Sequence, residues 1–352
     1  MTDLITRLTE TVQTNCHISD ARHGADYGMC VYLMRMREYF RWEKGHAFSA
    51  RLDQCEIGDW LTDREALWDE LVDDDYHPIE LNGQCFDAFD EAAINTRLRD
   101  YGLVYGGGLV TAGKPQFFLA RLEDYEQLNG ADVYVAGREL ARGLSAFPAM
   151  SRGSVILLRR EALERMVWEK LETWRWSRPQ NALGRAFASD DFEHDLEGAL
   201  QRMATGQSRF VLLHECGERF AGQLLGADWE KMLLLLAGTR AELMLRAVRD
   251  FIADCHGPLS VMPDTEDDAA IHFYIGGLSN MRKHLFPALL DGYEVWRDSG
   301  DRAVFSRLAT HGLRHWRQIA EDALDIYRRS PEQAEALIAD MLEQRRMSRL
   351  RD

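Results

Sequence analysis

The sequence predicts a mainly α-helical protein, with a mixed α+β N-terminal domain carrying a small antiparallel sheet and an all-α helical bundle at the C-terminal end. Three observations predict it. Apolar residues recur at helical spacing through most of the chain; short β-type runs punctuated by Gly, Pro and Asn are confined to about residues 101–140; and after Ser154 the helical pattern returns and dominates. At 352 residues the chain exceeds what one hydrophobic core usually holds. The texture divides it into 1–178 and 179–352, with the boundary near "SRPQNALG", 177–184.

From Asp20 to about Lys44, Ala25, Met29, Leu33, Met36 and Phe40 recur at three-to-four spacing and Gly45 supplies a stop, so one long helix is expected. The acidic stretch 51–100 reads as helix in pieces, interrupted by "YHP" and "LNG". "YGLVYGGGLV", "KPQFFLARL" and "ADVYVAGREL" read as strands of an antiparallel sheet. "RREALERMVWEKLETWRW" is a helix that stops before Pro179. Asp190 and Ser208 are candidate caps for the next two helices, the second running to about Gly226, and Asp228 starts a long helix ending at "HGP", 256–258. Region 266–298 should break at Gly276-Gly277 and at Pro287. A helix covers 301–329, and "SPEQ", 330–333, caps the last one.

Fifty-eight acidic against 42 basic residues give a net charge of −16. A sequence-independent grip on nucleic acid needs a basic surface, so a nucleic-acid partner is not expected. The longest apolar run, "MLLLLAG", is too short to span a bilayer, and the N-terminus lacks an apolar signal core. Six scattered cysteines without a C-x-x-C pair suit reduced thiols, so a cytoplasmic location is expected. "GLVTAGKP", 108–115, approaches a phosphate-binding loop, but Pro115 stands where a magnesium-binding hydroxyl is needed and a strand follows where a helix is needed. It reads as a hairpin turn.

"LLHECGERF", 212–220, begins like a zinc-protease motif but places Glu218 where the second histidine belongs. Residues four apart share a helical face, so His214 pairs with Glu218, while Glu215 joins Arg219 on a stripe that suits solvent. Gly217, near the inward face, would let a neighbouring helix approach. His311 and His315 fall on the apolar stripe Val304, Leu308, Ile319, Ile326. If the two helices face each other, His214, Glu218, His311 and His315 form a ligand set suited to zinc or non-haem iron. Glu197, Glu242 and His272 are additional candidate ligands. The alternative is that these are core histidines satisfied by a carbonyl or a carboxylate.

Two weaker groups complete the reading. Arg35, Arg37 and Arg41 could form a small-anion site, or pair with Glu38, Glu43 and the acidic segment that follows. Arg282, Lys283 and His284 beside Pro287 could line a pocket or form a solvated turn. The leading expectation is a metal-binding protein or metalloenzyme of hydrolase or non-haem oxidoreductase type. The alternative is a non-catalytic interaction protein, as a homodimer or with a protein partner. Whether it is an enzyme, the sequence leaves open.

Overall fold

The structure is a computed structural model and describes residues 2–110 and 113–349. The fold class matches the sequence reading: a small antiparallel sheet and a five-stranded sheet occur in the N-terminal half, and the C-terminal region is all helical. The chain divides into two compact units, 1–168 with 192–201, and 169–191 with 202–352.

The first unit opens with α1 (Thr2–His23), α2 (Met29–Glu43) and α3 (Gln54–Leu71). The long helix expected over 20–44 is therefore two helices, broken between Gly24 and Gly28. A hairpin of β1 (Ile79–Leu81) and β2 (Gln84–Phe86) and the short α4 (Glu91–Leu98) lead into the main sheet. That sheet contains β3 (Leu103–Leu109), β4 (Pro115–Leu128), β5 (Ala131–Arg142), β6 (Ala149–Arg152) and β7 (Val155–Arg159), in the order β3-β4-β5-β7-β6. All pairings are antiparallel except β5 with β7. The β1–β2 turn at 82–83 and the β4–β5 turn at 129–130 are both Asn-Gly pairs, with all four residues at positive φ. That is the combination a tight two-residue hairpin demands.

Alternation along the strands gives each face its own core. Leu103, Tyr105, Phe117 and Leu119 pack with Leu8, Val12 and Cys16 of α1, whereas Val104, Phe118, Ala120, Tyr134 and Leu157 form the opposite face. The glycine-rich stretch 108–115 joins β3 to β4, with Val110 N–H donating to Lys114 O at 2.9 Å. Thr111 and Ala112 of that stretch lie outside the described residues. A strand, not a helix, follows it.

From β7 the chain enters α5 (Arg160–Ser177), then α6 (Ala182–Ala188) and the 30-residue α7 (Leu196–Leu225). Asp195 accepts from Gly198 N at 3.2 Å at the start of α7, while Asp190 binds Arg202. Ser208 lies inside α7, donating to Ala204 O, and does not cap a separate helix. The helix expected from Asp228 is divided into α8 (Ala227–Leu235) and α9 (Arg240–His256), with Gly238 at φ 80° between them. Thr239 caps α9, and Glu242 reaches back to the Gly238 amide.

The remaining helices are α10 (Pro258–Val261), α11 (Asp268–Gly277), α12 (Asn280–Leu285), α13 (Pro287–Ser299), α14 (Ala303–Arg329) and α15 (Ala334–Gln344). The breaks fall where the glycine pair and Pro287 predict them. Helix α9 is central: α10, α12, α14 and α15 all pack on it. Phe251 stacks on Trp316 at 4.5 Å between ring centres, burying the heart of the α9–α14 contact. Among the described residues no helix is long and apolar enough to cross a membrane.

Glycine decides how closely α7 approaches α9. A Cβ on Gly217 would stand 2.2 Å from Ala253 O, and one on Gly257 would stand 2.2 Å from Leu213 O. Gly217→Ala should therefore lower stability by about 1–3 kcal/mol through overpacking. Gly222→Ala, in the same helix with open space around it, should raise stability by about 0.5–1 kcal/mol. Urea unfolding of the two variants measures both, and equal effects would contradict the close crossing.

His17 supplies a pH signature in the first unit. Burial, then the Arg64 charge, lowers its pKa from 6.5 to about 3, with Arg64 Nη1 at 2.7 Å from the ring Nε2. The unfolded chain binds this proton more readily, so the stability His17 contributes is complete above pH 6.5 and is lost as pH falls towards 3. The slope is at most about 1.4 kcal/mol per pH unit. Stability of His17→Gln, followed by chemical denaturation over that range, should vary less with pH than the parent; an unchanged slope would exclude this assignment.

Candidate metal centre in the helical unit

Residues one turn apart share a face of a helix, and the α7–α9 crossing sets two such pairs against each other. Helix α7 brings His214 and Glu218; α9 brings Asp250 and Asp254. The His214 Nδ1 lies 2.8 Å from Asp254 Oδ1. An ionised carboxylate can only accept, so His214 donates from Nδ1, and in the neutral imidazole this leaves the lone pair on Nε2. That Nε2 stands 3.7 Å from Glu218 Oε1. One ligand atom each from His214, Glu218 and Asp250 lies within 4.8 Å of the other two.

Charge around this group is unevenly compensated. Asp254 is 1% exposed and is held by Arg282 of α12 as well as by His214. Arg249 Nη2 approaches Glu218 Oε2 at 3.2 Å. Among the described residues no hydrogen bond or ion pair reaches the Asp250 carboxylate. Burial raises its pKa above the ordinary aspartate range, and the Arg282 and His214 charges oppose that shift. A cation among His214, Glu218 and Asp250 is the natural complement to such a carboxylate.

The four-residue set read from the sequence is thus half assembled. His214 and Glu218 are together, but His311 and His315 are not part of the group. The reason is α9, which lies between: its Asp254 meets α7, while Phe251 meets Trp316 of α14. The buried face of α14 runs through Phe305, Leu308, Gly312, Trp316 and Ile319. His311 and His315 flank this face, and His315 Nε2 is 2.9 Å from Arg345 O. Among the additional candidates, Glu197 accepts from Ser49 N, Glu242 caps α9 and pairs with Arg246, and His272 Nδ1 meets the Tyr293 hydroxyl at 2.9 Å. None joins the group.

Glu215 departs from its expected solvent-facing position: it is 9% exposed. Helix α7 is flanked by α9 and also by α11, through Gln207 with Ala270 O and Phe210 with Tyr274. A helix packed on two flanks has little face left for solvent.

The sequence reading missed Asp250, Asp254 and the role of Arg282. The signal was present in "RDFIADCH", 249–256, where two aspartates four apart interrupt an apolar helix. Facing the aspartate pair against His214–Glu218 needs the tertiary crossing, which no local pattern carries.

The three N-terminal arginines also separate. Arg37 and Arg41 share Glu38, at 2.7 and 3.1 Å, and Arg41 also donates to Ala47 O. Arg35 instead donates to Ser145 Oγ at 2.9 Å and lies over the Tyr27 ring. They do not form one anion site.

The model of a family of unknown function, DUF6866, matches through its C-terminal domain at residues 164–345 and through its N-terminal domain at residues 7–159. The chain belongs to this family. No curated protein and no solved structure matches it.

Proposed function

We propose that this DUF6866 protein binds one zinc or iron ion in its helical unit through His214 Nε2, Glu218 and Asp250, as a mononuclear centre with an open coordination position. The observation that carries the reading is the convergence of the three ligand atoms within 4.8 Å. The 3.7 Å between His214 Nε2 and Glu218 Oε1 is too long for a hydrogen bond. It is close to the roughly 3.4 Å separating donors on a tetrahedral ion with bonds of about 2.1 Å. Asp254 supports the reading further, because a carboxylate on the remote nitrogen is how metal-binding histidines are oriented.

One imidazole and two carboxylates suit zinc or ferrous iron, and three protein ligands leave room for water or substrate oxygen. The reaction class we assign is metal-assisted hydrolysis, in which the ion lowers the pKa of bound water; dioxygen chemistry is the variant if the ion is iron. Six free cysteines among the described residues fit a cytoplasmic setting for this chemistry. The second reading is a non-catalytic interaction protein, favoured by the guanidiniums of Arg249 and Arg282 that already compensate Glu218 and Asp254.

Metal analysis of untagged protein after incubation with zinc or ferrous iron separates the two. About one ion per chain is expected, with Asp250→Asn and His214→Ala each lowering occupancy at least about tenfold, while His315→Ala retains it. Zinc should also raise the melting temperature of the parent and not of Asp250→Asn. Equal metal content in the parent and in His214→Ala would remove the site and leave the second reading.

A further inference from the structure

The N-terminal unit contains a cavity of about 270 Å³ that shares no residue with the candidate metal centre. Its polar groups are gathered by one short segment, Gly143–Ser145, that leaves the end of β5. Leu144 N–H donates to Asp20 Oδ2 at 2.8 Å. Ser145 O accepts from Gln116 Nε2, and Ser145 Oγ accepts from Arg35 Nη1 at 2.9 Å. Asp20, Gln116 and Arg35, from α1, β4 and α2, thus converge on neighbouring residues and all line the cavity.

Each of the three lines the cavity and retains unused hydrogen-bonding or charge-pairing capacity. Gln116 is 6% exposed, and its Oε1 is buried without a hydrogen-bond partner, an arrangement that costs free energy unless a donor arrives. Among the described residues Arg35 has no carboxylate in ion-pair range; it meets Ser145 Oγ and the Tyr27 ring. Asp20 is 9% exposed and likewise has no ion pair. Lys114, also at the cavity, is already taken by Asp26 at 2.7 Å. The rest of the wall is apolar, with Tyr27, Val110, Phe117 and Phe147.

These groups ask for a small molecule with an anionic group for Arg35 and a cationic donor for Gln116 Oε1 and Asp20. Because all three anchors meet at Ser145 and Leu144, the two ligand charges must be adjacent, with an apolar body beyond them. We propose that this cavity binds a free α-amino acid with an apolar side chain, its carboxylate on Arg35 and its ammonium between Gln116 and Asp20. The size suits such a ligand, since pockets for drug-sized molecules start near 300 Å³. Burial pushes the Asp20 carboxyl up to about 7; an ammonium beside it offsets the cost of the buried charge.

Isothermal titration calorimetry with L-leucine, L-methionine and L-phenylalanine tests this on the full chain. At least one should bind saturably at one per chain. The N-acetyl and amide derivatives of the best binder, each lacking one charge, should bind at least about tenfold more weakly, or about 1.4 kcal/mol. Arg35→Gln and Asp20→Asn, checked for folding by circular dichroism, should show the same loss. No binding by any of the three up to about 10 mM, a range weaker than ordinary millimolar recognition, overturns the proposal. So does an N-acetyl derivative or a simple carboxylate such as isovalerate that binds as well as the amino acid, and these comparisons need no variant.

Discussion

The helical unit depends on one close crossing. Gly217 on α7 lies against the Ala253 carbonyl of α9, and Gly257 lies against the Leu213 carbonyl. Removing two Cβ atoms lets backbones meet at a distance that short polar side chains can span. His214 reaches Asp254 at 2.8 Å and Glu218 reaches Arg249 at 3.2 Å because of it. Larger residues at those glycines would force the helices apart, and the His–carboxylate group would no longer converge. Packing and candidate chemistry are here the same constraint.

The position of α9 explains why one half of the sequence-derived ligand set assembled and the other did not. Helical periodicity correctly paired His214 with Glu218 and separated both from Glu215. It cannot say which helix a face will meet. The stripe through His311 and His315 looked equally suitable, yet bulky Phe305, Leu308 and Trp316 win the interior of α14 and leave the histidines at its margin. Apolar area removed from water is the stronger term in choosing a face, so a histidine at a stripe's edge is poor evidence of an inward ligand.

More of the fold was legible than of the site. The glycine pair at 276–277, Pro287, and the texture change into strands near residue 101 all act through local backbone preference, and each appears where expected. Breaks with weaker punctuation were missed. The 24–28 interruption between α1 and α2 and the Gly238 break between α8 and α9 lie inside runs whose apolar spacing continues across them. Strands β1, β2, β6 and β7 were also missed; β1 and β2 are three residues each, within a stretch read as helix in pieces, and β7 is buried along its whole length, so it lacks the alternation that marks a half-exposed strand.

Buried and half-buried carboxylates in this protein differ in how far the fold compensates them, and the distinction orders the candidate sites. Glu38 lies between Arg37 and Arg41, and Asp254 between Arg282 and His214. Their charges are compensated inside the fold, and such groups are architectural. Glu161, raised to about 7, still has the Glu139 amide and the Trp42 indole as donors. Asp250 and Asp20 have no ion pair among the described residues, and burial raises both pKa values, opposed only in part by the Arg282 and His214 charges at Asp250 and by the Leu144 amide and the Arg64 and Arg35 charges at Asp20. Folding alone gives no return for holding a carboxylate in that state, because an amide or an apolar residue of similar size would avoid the desolvation cost. A cation arriving from outside adds to that partial compensation: a metal ion at Asp250, where an imidazole and a second carboxylate stand ready, and an ammonium at Asp20, where the neighbours are a neutral amide oxygen and the Arg35 guanidinium held by Ser145 Oγ and the Tyr27 ring. The neighbours, not the aspartates, decide which cation each site takes.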